Sequence, residues 1–185
     1  MKKRSIRLKI SAGGVLLLAA LYFFLTVDEL IAQLLAAAVH EAGHILAIRL
    51  TGGQTFGITV GVTGAVITRS APEGRAREAV CAISGPLSGL AYAVAAALLS
   101  SLIESEMLTL SSGMSMVLTV FNTLPVLPLD GGRAIACIIG YRPACAVSLV
   151  TASCVLLLGV ILAASDYGFA LLAAGAALMA QQARA

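Results

Sequence analysis

The chain reads as a series of apolar stretches separated by short polar segments, and six can be delimited: 10–27, 30–50, 79–103, 107–129, 144–165 and 167–180. The first five reach the ~17–25 residues that a membrane-spanning helix needs, and the sixth is shorter. Pro143 suits the first turn of the fifth helix, where its missing N–H costs nothing. The segment 52–72 differs in kind. It is rich in Gly, Thr and Val and predicts a small membrane-associated β-hairpin over 55–68, turning at Thr63-Gly64, between helices two and three. The pattern therefore predicts one all-α polytopic membrane domain over 1–185, with about six transmembrane helices and no soluble domain attached.

Composition agrees. With 59% hydrophobic and 11% charged residues and a mean hydropathy of +0.99, the chain lacks the polar surface that a soluble domain of this length requires. The lipid bilayer is the solvent that tolerates it. Nothing suggests nucleic-acid binding. Cys81, Cys137, Cys145 and Cys154 form no CxxC pair and read as small, reduced residues in apolar surroundings. The first run passes into Thr26-Val27-Asp28-Glu29 without a small-residue cleavage site, so it is expected to be retained as a span.

Charge placement sets the expected topology. If the N-terminus is inside, every Lys and Arg lies in an inner segment: 1–9, 49–77, 130–142 or the tail. The outer loops hold Asp28, Glu29, Glu104, Glu106 and Asp166, and no base. This bias predicts a multi-pass cell-membrane protein with both termini cytoplasmic.

Candidate chemistry centres on His40-Glu41-Ala42-Gly43-His44, an HExxH pattern within the second apolar run that contains both histidines of the chain. Two histidines four apart share one helix face and can reach one metal ion, with Glu41 beside its open position. Ionisable groups within a span cost at least ~2.5–3.5 kcal/mol each, which argues against packing filler, although a polar patch gluing helices is the alternative. A zinc site wants a third protein ligand, and Asp130 is the best candidate. An ordinary Asp-Gly-Gly turn is its bland reading. Topology favours a ligand: the second helix places Glu41 about nine residues, or ~14 Å, from its inner end, and the fourth brings Asp130 to that same side. Pro125 and Pro128 should break the end of the fourth helix and free backbone groups to face a cavity. Asn122 is either interhelical glue or a substrate-orienting donor.

HEAGH on one span and NTLPVLPLDGGR on a later one resemble the site-2 protease family of intramembrane metalloproteases, most of all the compact bacterial branch that includes the stage IV sporulation protein FB. The resemblance covers nearly the whole chain. It implies one zinc ion per chain held by His40, His44 and Asp130, water activation by Glu41, and substrate binding around Asn122, Pro125 and Gly131. Ser84-Gly85-Pro86-Leu87-Ser88-Gly89 is similar to the family's Gly-Pro segment on the third helix, but the usual Asn is Gly89 here. The implied partners are a membrane-protein substrate, such as a membrane-tethered transcription factor or pro-sigma factor, an inhibitory membrane partner, and the bilayer itself. A catalytically silent metal-binding regulator would usually have lost Glu41 or a ligand, and none is lost. A metal transporter would need polar ligands through the outer halves of the helices, which supply almost none.

Overall fold

A computed structural model describes residues 7–61, 64–70 and 74–183, and the expectations for Lys2, Lys3, Arg4, Val62, Thr63, Pro72 and Arg184 lie outside them. The chain divides into two compact units, Met1–Phe121 and Asn122–Ala185.

The first unit opens on a strand, β1 (Arg7–Ile10), followed by α1 (Ala12–Phe24) and α2 (Val27–Leu50). The hairpin β2 (Thr55–Gly61) and β3 (Gly64–Arg69) comes next, then α3 (Arg75–Ile103). α4 (Glu106–Thr123) closes the unit and runs two residues past its boundary. Ser11 explains why the first apolar run begins as a strand rather than as helix. Its N–H and its hydroxyl both donate to the Val60 carbonyl at 3.0 Å, and its hydroxyl oxygen accepts from Gly14 N–H as the N-cap of α1. The preceding residues are thereby held beside β2, where β1 pairs in parallel, with Leu8 opposite Ile58. The expected hairpin is thus the larger part of a three-stranded sheet ordered β1-β2-β3. β2 is paired on both sides, and β3 carries an edge that pairs with no other described strand.

α2 starts in a capping box in which Thr26 and Glu29 satisfy each other's backbone N–H groups. It packs on α3, and Ala47, Ile48 and Cys81 form a small apolar cluster that Ile67 of β3 covers.

The second unit holds α5 (Asp130–Ile139), α6 (Tyr141–Ala164) and α7 (Ala170–Gln182). The fourth apolar run, expected to span over 107–129, is helical only to Thr123. Pro125 and Pro128 account for the break, and α5 is an additional helix where an inner loop was expected. Backbone groups freed between α4 and α5 find partners within the unit. Leu127 N–H donates to Ser148 Oγ at 2.7 Å, and Gln182 Nε2 donates to the Leu127 carbonyl. α6 and α7 approach closely at Gly159 and Gly175, where a Cβ would lie 2.6 Å from the Cα of Leu172 and Leu156 respectively. Pro143 falls in the first turn of α6, as expected.

Burial is inverted relative to a water-soluble protein. The buried positions are mostly small or polar, including Ala32, Ala36, Ala93, Ala96, Ala152, Ser111, Ser115 and Ser148. Large apolar side chains such as Leu98, Leu102, Val150, Leu157, Val160 and Ile161 are exposed. Helices associate through small residues and hydroxyls when the surrounding solvent is itself apolar. Among the described residues, α2, α3 and α6 are long and apolar enough to cross a membrane, and α1 and α7 are shorter apolar helices. Of the four cysteines, all free thiols, only Cys81 is buried, and Cys154 lies exposed on apolar α6.

Candidate metal centre

In the first unit, His40 and His44 lie one turn apart on the face of α2 that α3 covers, 4% and 7% exposed. Their Nε2 atoms are 3.2 Å apart, with the rings nearly perpendicular. Two nitrogens bound to one tetrahedral zinc at ~2.0–2.1 Å would stand about 3.3 Å apart, so the pair already has the spacing of a shared ligand set. His44 Nδ1 lies 2.7 Å from the Cys81 carbonyl oxygen, to which its N–H donates. That bond fixes the tautomer and turns the lone pair of Nε2 toward the place a metal would take.

The α3 segment Ser84–Gly89 makes this approach possible. A Cβ on Gly85 would sit 2.2 Å from His44 Nε2 and 2.8 Å from His40 Nε2. A Cβ on Gly43 would fall 2.2 Å from Ser88 Oγ and 2.6 Å from the Ser84 carbonyl oxygen. Ser88 Oγ donates to the Val39 carbonyl of α2 at 3.1 Å and clamps the two helices beside the histidines. Cys81, Gly85 and Ser88 are supporting residues that the motifs alone did not single out for this task. A Gly-Pro segment rich in Ser was the available signal.

In the second unit, Asp130 is the first residue of α5 and 7% exposed. Arg133 Nη1, one turn on, donates to its Oδ1 at 3.1 Å. The turn that presents it is tight. A Cβ on Gly131 would lie 2.2 Å from the Thr123 carbonyl oxygen, and one on Gly132 would lie 2.4 Å from the Val126 carbonyl carbon. Gly131 thus has a packing task of its own.

His40 and His44 of the first unit and Asp130 of the second are each buried and each offer a donor atom of the kind that a divalent metal takes. Two imidazoles and a carboxylate, all buried, fit a divalent metal and leave a coordination position open. Glu41 follows the first histidine on α2 and is half-buried. Asn122 is half-buried near the end of α4, and Pro125 lies half-buried in the segment between α4 and α5.

No family model matches the sequence, and no curated protein does. Among solved structures, the site-2 protease from Methanocaldococcus jannaschii is similar over 100% of this chain and 92% of its own, with a TM-score of 0.70 at 19% identity. At that identity the likeness concerns architecture. The chain has the fold of a site-2 protease.

Proposed function

We propose that this protein is an intramembrane zinc metalloprotease of the site-2 protease family, hydrolysing peptide bonds within or near transmembrane segments of other membrane proteins. The observation that carries this reading is the buried His40–His44 pair with its Nε2 atoms 3.2 Å apart and Glu41 between them in sequence, on that fold, with the buried Asp130 as the third ligand of the proposed site. When bound, one zinc ion per chain would supply Lewis-acid polarisation of a carbonyl and acidification of water. Glu41 is the base that takes the proton from the attacking water and passes it to the leaving amine. Cys81 and the Ser88 clamp hold the histidines in register, which limits reorganisation during reaction. Asn122 and Pro125 orient the substrate, and Gly131 lets the Asp130 turn close against α4.

A helical substrate shields its own peptide bonds, so it must be extended locally. The edge of β3 that pairs with no other described strand is the surface suited to pair with it. The substrate class is a membrane-tethered protein, with a transcription factor or pro-sigma factor as the regulatory example, and a membrane partner would restrain the enzyme. The protein resides in the cell membrane as a multi-pass chain with both termini cytoplasmic, a reading supported by the confinement of all Lys and Arg to alternate segments.

The test is cleavage of a transmembrane-segment substrate in detergent by wild type, wild type stripped with chelator, and Glu41→Gln. Cleavage by the zinc-loaded wild type alone, with zinc retained in Glu41→Gln, is the expected result. Equal cleavage by Glu41→Gln removes Glu41 from the chemistry. A wild type that binds zinc but cleaves nothing favours a silent metal-binding regulator.

A further inference from the structure

The two histidines present their second ring nitrogens to different surroundings. Both turn Nε2 toward each other at 3.2 Å, which leaves Nδ1 as the outward nitrogen of each ring. For His44 the Cys81 carbonyl meets that nitrogen at 2.7 Å. For His40 the outward nitrogen faces the corner where α3 and α4 meet at Gly89. The place that a Gly89 Cβ would occupy is 3.8 Å from His40 Nδ1, 3.6 Å from Ser115 Oγ and 2.5 Å from Thr119 Oγ1.

Ser115 is already engaged, since its hydroxyl donates to the Gly89 carbonyl at 2.8 Å. Thr119 is not. Its side chain is 6% exposed, and Oγ1 has no hydrogen-bond partner among the described residues, not even the carbonyl four residues back that a helical threonine commonly uses. A buried hydroxyl left without a partner is costly, so its place at this corner calls for a ligand. A metal-ligating imidazole carries a proton on its second nitrogen and donates it to an oxygen, which fixes the tautomer and raises the ring's basicity.

We propose that the Thr119 hydroxyl is the positioning group for His40, accepting from Nδ1–H through one bridging water at the corner beside Gly89. The proposal rests on the metal reading of the His40–His44–Asp130 group and deepens it. Each histidine is then oriented by an oxygen of a different kind: a rigid backbone carbonyl for His44, and a rotatable hydroxyl for His40.

The experiment is chelator competition on zinc-loaded full-length protein in detergent, with melting of the metal-free protein as the fold control. Thr119→Val keeps the shape and removes the hydroxyl, Thr119→Ser restores it, and Ser111→Ala removes another buried hydroxyl of α4 that lacks a partner. Thr119→Val should hold zinc about 10–100-fold more weakly, while Thr119→Ser and Ser111→Ala stay within about threefold of wild type. Unchanged zinc affinity in Thr119→Val overturns the proposal. So does an equal loss in Ser111→Ala, which assigns the effect to loosened helix packing, or a failure of Thr119→Ser to rescue, which assigns it to the methyl group. A wild type that takes up no zinc removes the metal reading itself, and this outcome differs from all three.

Discussion

Gly85→Ala adds one methyl group at the point where α3 meets both histidines. Its carbon would lie 2.2 Å from His44 Nε2, 2.5 Å from His44 Cε1 and 2.8 Å from His40 Nε2, where ordinary contact is about 3.5 Å. The His44 ring must therefore retreat by roughly an ångström. It cannot slide freely, because Nδ1 is tied to the Cys81 carbonyl at 2.7 Å. Without metal the ring can swing aside and relieve part of the clash. With metal both Nε2 atoms must stay on one ion, so the strain falls chiefly on the bound form. Overpacking of this kind costs about 1–3 kcal/mol, or roughly 5–150-fold in zinc affinity. Chelator competition on the purified protein reads that ratio, and melting of the metal-free form checks that the fold survives. Gly113→Ala is the matched control. It adds the same methyl to a helix with nothing within 4 Å, so zinc affinity should not change and helix propensity should add up to about 1 kcal/mol of stability. If Gly85→Ala binds zinc as tightly as Gly113→Ala, the histidines do not hold metal in the geometry described.

Other perturbations separate the remaining parts. His40→Ala, His44→Ala and Asp130→Ala should each lose zinc by metal analysis while Glu41→Gln keeps it, and full zinc content in Asp130→Ala would take that carboxylate out of the ligand set. Proline substitutions along β3 should lower cleavage at alternate positions, those whose N–H points away from β2, with zinc content unchanged; uniform effects along the strand would argue against an edge that pairs with substrate. The same scan on β2 should damage the sheet itself, because β2 is paired on both sides. A reporter fused after Arg142 should be cytoplasmic and one fused between Glu104 and Glu106 external, and the opposite result at either place would overturn the topology.

Much of this protein was legible in its sequence because the strongest signals are local or set by the solvent. The apolar runs name the helices, since a bilayer demands long uninterrupted hydrophobic segments. The four-residue spacing of His40 and His44 names a shared face, since a helix turns once in 3.6 residues. Pro125 and Pro128 name the break after α4, since proline cannot continue the ladder. Other features depend on contacts distant in sequence. Arg7–Ile10 lies at the charged entry to the first apolar run, and its place beside β2 is held by Ser11, whose N–H and hydroxyl both donate to the distant Val60 carbonyl. The backbone of Leu127 before α5 is satisfied by Ser148 and Gln182, and no pattern within 124–139 announces either partner. The Cys81 carbonyl belongs to a backbone that any residue would supply, so its service to His44 left no mark in residue type. Sequence alone determined the apolar helices and the donor set of the candidate site. Tertiary structure decided which oxygen meets the His44 ring, because hydrogen-bond geometry between helices depends on how closely Gly43 and Gly85 let them approach.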